Sequence, residues 1–295
     1  MSELVMKIFN KKVTGAFYLL LSTLLYGLIG VFSRFIGDFS PFSQSWVKAS
    51  ITLSIIFIIF IFGKSYWKKI RKEDLKWFAV WILPASVQPV LTFLAFNHLP
   101  IGIVYFLNYS TMILGGIISG RVFFGEKINL NKIISLICVF VGLFLIYGSN
   151  ITFIKNIYVF YALLAGLVLG FWNTLTKKVS EHYSEIQMMS LDNGTSLVLC
   201  LFASLLLGEK LPQISGPWLW IFVFAGTLTL AAYFLIRGFK NVEAQVGSLI
   251  MPMEILFGAF FGYLFFGEIL KQNMYLGGIF ILLAAILPTF SFKKR

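Results

Sequence analysis

From Ser248 to Glu268 the chain reads SLIMPMEILFGAFFGYLFFGE, an almost wholly apolar run with Glu254 set two places after Pro252. At about 1.5 Å rise per residue, such a run is long enough to cross a hydrocarbon core about 30 Å thick. Glu254 would then lie roughly 15 Å deep, where an ionised carboxylate must pair, meet water or keep its proton. Pro252 withdraws one backbone N–H and frees a carbonyl just before the acid, which permits a kink where a cavity would need one. The stretch therefore reads as a membrane helix that carries a site. Glu254 is expected to meet substrate or a proton; the plainer alternative is a neutral carboxyl bonded to a neighbouring helix.

The rest of the chain supports that solvent. Of 295 residues, 59% are hydrophobic and 12% charged, and the mean hydropathy is +0.88, a balance foreign to a water-facing surface. Ten apolar stretches recur, at roughly 13–36, 42–63, 75–97, 101–124, 130–148, 157–178, 186–208, 216–239, 244–266 and 272–291. The short-period alternation of barrel strands is absent, so the expected fold is an all-α polytopic membrane protein of ten transmembrane helices. The first stretch follows a basic segment, as a secretory signal would, but it runs past 20 residues without a small-x-small site after Gly37 and is expected to be retained.

A net charge of +12 could suggest a nucleic-acid binder, but the positions of the bases argue for a membrane topology. With the N-terminus inside, the inner segments hold Lys7, Lys11 and Lys12; Lys64, Lys68, Lys69, Arg71, Lys72 and Lys76; Arg121, Lys127 and Lys132; Lys177 and Lys178; Arg237 and Lys240; and Lys293, Lys294 and Arg295. The outer segments hold only Arg34, Lys155, Lys210 and Lys271. This bias predicts cytoplasmic N and C termini and an inner or plasma membrane, with no nucleic-acid partner.

The chain also resembles itself. Phe123-Phe124-Gly125-Glu126 recurs as Phe265-Phe266-Gly267-Glu268, and the same offset places Gly116 on Gly258 and Gly120 on Gly262. One residue further in offset, Gly27 falls on Gly170, Arg34 on Lys177 and Asp38 on Glu181. The halves 1–150 and 151–295 thus read as two copies of five spans each. Five is odd, so the second copy enters the membrane inverted, the arrangement that lets a protein open alternately to either side of a midplane site. The paired glycines Gly116/Gly120 and Gly258/Gly262 each put two small residues on one helix face, a pattern for close helix packing.

Ten spans, the five-plus-five repeat and the pattern Pro252, Gly258, Gly262, Gly267 and Glu268, echoed by Gly116, Gly120, Gly125 and Glu126, resemble the drug/metabolite transporter superfamily and within it the EamA-type transporters. The resemblance covers essentially the whole chain. It implies a secondary transporter of small organic solutes that works by alternating access, with a central cavity lined by helices other than the fifth and tenth. Lys48 fills the place of a base that the family commonly carries early in the second span. Ser110 stands opposite Pro252, and Glu254 occupies a position usually apolar or small.

Several polar residues lie at depth and are expected to line that cavity. Lys48 is read as a receptor for an anion or carboxylate, paired with Glu254 in the empty state. Gln88 between Pro84 and Pro89, Tyr105, Asn108, Tyr109, Trp172 and Asn173 are candidates to orient a solute by hydrogen bonding or stacking. Asp192, followed by Asn193 and Gly194, is read as a gate or structural pair. Glu126 and Glu268 are read as interfacial caps or ion pairs, beside Lys127 and Lys271.

Enzymatic readings find no footing. Gly63-Lys64-Ser65 ends like a phosphate-binding loop, but Ile58 stands where its first glycine belongs. His98 and His182 fall near span ends on opposite sides, and Cys138 and Cys200 lie in different spans as packing residues, so no cofactor and no metal is expected. The expected function is export of amino acids or related zwitterions, with protons as a further partner, from a monomer or homodimer in the lipid bilayer. The alternatives are import or exchange of nucleotide-like or cofactor-like metabolites, and a non-transport scaffold or lipid-handling protein.

Overall fold

Each of the ten apolar stretches is helical in the computed structural model of the chain, which describes residues 3–36, 39–62, 67–148, 157–210 and 218–289. Gly37, Asp38, Gly63, Lys64, Ser65, Lys155, Lys293, Lys294 and Arg295, on which sequence expectations rest, lie outside the described residues, as does the side chain of Lys7. The helices are α1 (Glu3–Gly27), α2 (Ile29–Ile36), α3 (Pro41–Phe62), α4 (Leu75–His98), α5 (Ile101–Phe124), α6 (Leu130–Tyr147), α7 (Ile157–Ser180), α8 (Glu185–Leu206), α9 (Trp218–Asn241), α10 (Ala244–Ile250), α11 (Met253–Phe266) and α12 (Gln272–Thr289). Among the described residues, ten spans are long and apolar enough to cross a membrane, with ends within three residues of those expected. Helices are the form such stretches must take in lipid, because every backbone N–H and C=O then finds its partner within the segment.

Two spans are broken, not continuous. In the ninth, Pro252 separates α10 from α11, and the ladder tightens there: Glu254 N–H donates to the Met251 carbonyl at 3.1 Å and Ile255 N–H to the Pro252 carbonyl at 3.0 Å. In the first, α1 gives way to α2 at Gly27–Leu28, where Leu28 N–H reaches back only three residues to Leu25 O at 3.2 Å. Pro252 announces the first break. Nothing as plain announces the second, and the apolar run 13–36 predicts one continuous helix there.

The closest helix pairs are α5 with α7, α4 with α7, α6 with α12, α1 with α9, α3 with α8, α1 with α11 and α5 with α10. Counted as spans, this set is unchanged when the first five are exchanged for the last five. Glycines permit two of these approaches. A Cβ on Gly170 of α7 would collide with the Met112 carbonyl and reach the Gly116 amide at 2.8 Å, and a Cβ on Gly27 of α1 would reach Phe257 Cβ at 2.8 Å and the Gly258 amide at 2.9 Å. The repeat-related glycines therefore meet in repeat-related contacts, Gly170 on Gly116 and Gly27 on Gly258.

Gly125 (φ 62°) and Gly267 (φ 65°) end α5 and α11 in the left-handed conformation that favours glycine. The following acids fold back, with Glu126 N–H donating to Gly120 O at 3.0 Å and Glu268 N–H to Gly262 O at 3.3 Å. The FFGE sequence is thus a helix stop that delivers a carboxylate back along its own helix.

The glycine pairs differ in what they meet. A Cβ on Gly116 would overlap the Ser248 side chain, and one on Gly120 would lie 2.6 Å from Gln245 Cγ. By contrast Gly258 has only Gly27 O, at 3.7 Å, and Gly262 meets no neighbouring helix, only the carboxylate of Glu268. Around α5 the glycine pair is met by the side chains of α10, whereas on α11 Gly258 is met only by the backbone of α1.

Candidate functional site

A cavity of about 370 Å³ lies between the helices, within the range that holds small metabolites. Glu254, Lys48, Asn108, Tyr109, Tyr105, Gln88, Trp172 and Asn173, the eight residues singled out as solute contacts, all line it, and so does Asp192. Neither α6 nor α12 contributes a wall. Tyr26, Thr52, Thr92, Asn193 and Thr229 complete its polar lining.

The two helix breaks flank this space. Tyr26 and Ile29 bracket the first, and Met251 and Glu254 bracket the second. Irregular backbone at membrane depth is tolerated where it borders a cavity, and such broken helices bring polar groups to a midplane site. On α5 the lining runs from Tyr105 to Met112, while the farther turns carrying Gly116, Ser119 and Gly120 are buried. Ser119 and Thr174 are in direct hydroxyl contact, so the space closes toward the Gly125 end of α5.

The walls keep polar atoms in reserve. Asn108 Oδ1, Asn173 Oδ1 and the Trp172 indole N–H are buried without a hydrogen-bond partner among the described residues. A buried group left so costs about 1–3 kcal/mol, and water or a solute in the cavity would recover it. Other lining groups are already engaged. The Gln88 amide donates to Thr92 Oγ1 at 2.9 Å, and the Thr229 hydroxyl lies 3.1 Å from that of Thr52.

The charges fall into two groups. Lys48 of α3 has Asp192 of α8 as its nearest acidic influence, although no pair of oppositely charged atoms within 4 Å joins them. Glu254 has no lysine, arginine or histidine nitrogen within that distance among the described residues. Its neighbours are tyrosines, with the Tyr109 hydroxyl beside the carboxyl. The expected pairing of Lys48 with Glu254 is therefore corrected: the break at Pro252 turns Glu254 toward α5, while Lys48 on α3 faces α8, with which α3 packs.

A polar cluster lies beyond the buried turns of α5. Both Glu126 oxygens accept backbone N–H groups at the start of α10, from Ala244 at 2.6 Å and Gln245 at 2.9 Å, and Lys177 lies 3.3 Å from the same carboxylate. Lys132, 3% exposed, donates to Gln245 Oε1 at 2.5 Å and pairs with Glu243 at 2.8 Å. Glu243 also takes Lys12 at 2.8 Å. Burial alone would raise Glu243, but hydrogen bonds from Lys12 and Lys132 prevail and hold it down at about 2. At the other end Glu268 pairs with Arg34. The partners expected from the sequence, Lys127 and Lys271, are displaced by bases on other helices, because the FFGE turn swings each acid back over its own helix.

Symmetry-matched helix contacts beside a polar cavity invite comparison with known proteins. The sequence matches the EamA-like transporter family over residues 13–148 and again over 156–290. The chain belongs to that family. As an EamA-like transporter it is a multi-pass protein of the cell membrane. It is 26% identical over 284 residues to an uncharacterized transporter, YoaV, of Bacillus subtilis (strain 168), covering 92% of this chain and 96% of that one. An uncharacterized transporter of Archaeoglobus fulgidus is 24% identical over 283 residues, covering 92% and 95%. A solved crystal structure shares the fold with a TM-score of 0.81 over 94% of this EamA-like chain and 98% of its own, at 11% identity.

No group of three or more histidine, cysteine, aspartate or glutamate side chains poised for a metal occurs among the described residues. His98 instead stacks on Tyr158, with ring centroids 3.6 Å apart.

Proposed function

We propose that this EamA-like protein is a secondary transporter that moves small zwitterionic metabolites, amino acids foremost, out of the cell by alternating access. The observation that carries the reading is a cavity between the helices lined by one base, Lys48, and two acids, Asp192 and Glu254. A solute bearing both an ammonium and a carboxylate can satisfy such a lining from its two ends. The halves 1–150 and 151–295 act as inverted copies that rock about this space. With both termini in the cytoplasm, as the positive-inside bias favours, the Glu126 cluster is the inner gate. The arrangement described above is then the one closed to the cytoplasm. Protons are the suitable counter-substrate, since a mid-membrane carboxylate without a cation beside it can carry one when empty.

Counterflow in proteoliposomes tests this. Vesicles loaded with unlabelled amino acids should accumulate labelled ones from outside, and both Glu254→Gln and Lys48→Ala should abolish or sharply reduce the uptake. Unchanged uptake in both variants would exclude the zwitterion reading.

A further inference from the structure

The two charged groups of the cavity are not equivalent. Lys48 has Asp192 as its main acidic influence, although no ion pair within 4 Å joins them. Glu254 faces the hydroxyl of Tyr109 and lies within electrostatic reach of Tyr26, Tyr105 and Tyr147. These rings adjoin one another: the Tyr105 centroid is 6.2 Å from that of Tyr109 and 6.2 Å from that of Tyr147. Phe96 stands 5.4 Å from Tyr105 on the other side.

A lone carboxylate beside aromatic rings is the chemistry of an ammonium receptor, because the ring faces and the carboxylate attract a cation together. A carboxylate on the solute gains less, since it must share Lys48 with Asp192. We infer that the ammonium group is what this cavity requires of a solute, bound at Glu254 and its tyrosines, and that the solute carboxylate is dispensable. The inference rests on the transport reading but narrows it. Amines without a carboxylate belong to the substrate class, and carboxylates without an amine do not.

Titration calorimetry on the purified protein in lipid nanodiscs, with three matched sets of probes, would decide the matter. The sets are alanine, leucine and phenylalanine; ethylamine, isopentylamine and phenethylamine; and propionate, 4-methylpentanoate and phenylpropionate. At least one amine should bind within about tenfold of its parent amino acid, while its paired acid binds at least a hundredfold more weakly. Glu254→Gln should weaken the amine at least tenfold. Failure of every amine to bind, binding of the acids as tight as that of the amines, or amine affinity indifferent to Glu254→Gln would each overturn the inference. The wild-type ranking needs no variant to fold. Absence of amino acid counterflow with amine binding intact would instead fault the transport reading alone.

Discussion

The segments Phe123–Glu126 and Phe265–Glu268 have the same four residues, the same left-handed glycine and the same kind of partner, yet they end in different surroundings. In each, a base from another helix sits over the second phenylalanine and reaches the acid: Lys177 lies 5.2 Å from the Phe124 ring centre and Arg34 lies 4.6 Å from that of Phe266. At the first, the Glu126 side chain is 7% exposed and caps the start of α10; at the second, Glu268 is 44% exposed and holds Arg34 alone. The glycines behind them follow suit, Gly116 and Gly120 against α10, Gly258 and Gly262 nearly free. Identical local instructions are thus carried out to completion at one end and left half-finished at the other. Sequence sets the helix stop and its acid, and tertiary packing decides what that acid holds.

The sharpest way to break this comparison is to remove the two acids in turn. Glu126→Ala strips a buried carboxylate from Lys177 and from two backbone N–H groups, and should cost about 3–5 kcal/mol, read as a large fall in thermal stability in detergent. Next, Gly116→Ala forces a methyl group onto Ser248 and should cost about 1–3 kcal/mol, while Gly258→Ala should change stability by less than about 0.5 kcal/mol. Equal effects of the two glycine substitutions would remove the asymmetry.

A smaller effect is expected from pH. Glu243 is held below its ordinary 4.5, at about 2, so the stabilisation it gives is complete above about pH 4.5 and is lost as the pH falls through about 2. Melting curves between pH 6 and 3 should decline less steeply for Glu243→Gln than for the parent. Smallest of all, Glu268→Ala breaks a half-exposed pair and should cost under about 1 kcal/mol. Added salt should erase even that difference.

Much of this was legible from residue type and depth. Polar side chains inside stretches that must be apolar stand out, and Glu254, Lys48, Asn108 and Asn173 all face the one cavity. Threonines do not stand out: Thr229 can return its hydroxyl to the Ala225 carbonyl, 2.6 Å away, so a threonine fits any membrane helix and marks no site by itself. Tyr26 was missed because one tyrosine among many aromatic residues carries no signal, and the break beside it because Gly27 and Leu28 are ordinary helix residues in lipid. Partner choice was the least legible. Lys127 and Lys271 adjoin the acids in sequence, whereas Lys177 and Arg34 reach them only after a helix stop whose geometry depends on two dihedral angles.

The capped start of α10 also bears on turnover. In the alternating-access cycle proposed above, with the termini inside, an empty carrier would have to release two backbone donors and a buried lysine network at its Glu126 end before loading from within, whereas the Glu268 end would let go of one half-exposed pair. Reorientation without cargo would then be the slow half of that cycle. Efflux should quicken when solute waits on the far side, so trans-stimulation, more than any equilibrium affinity, would be the kinetic signature of the shut gate.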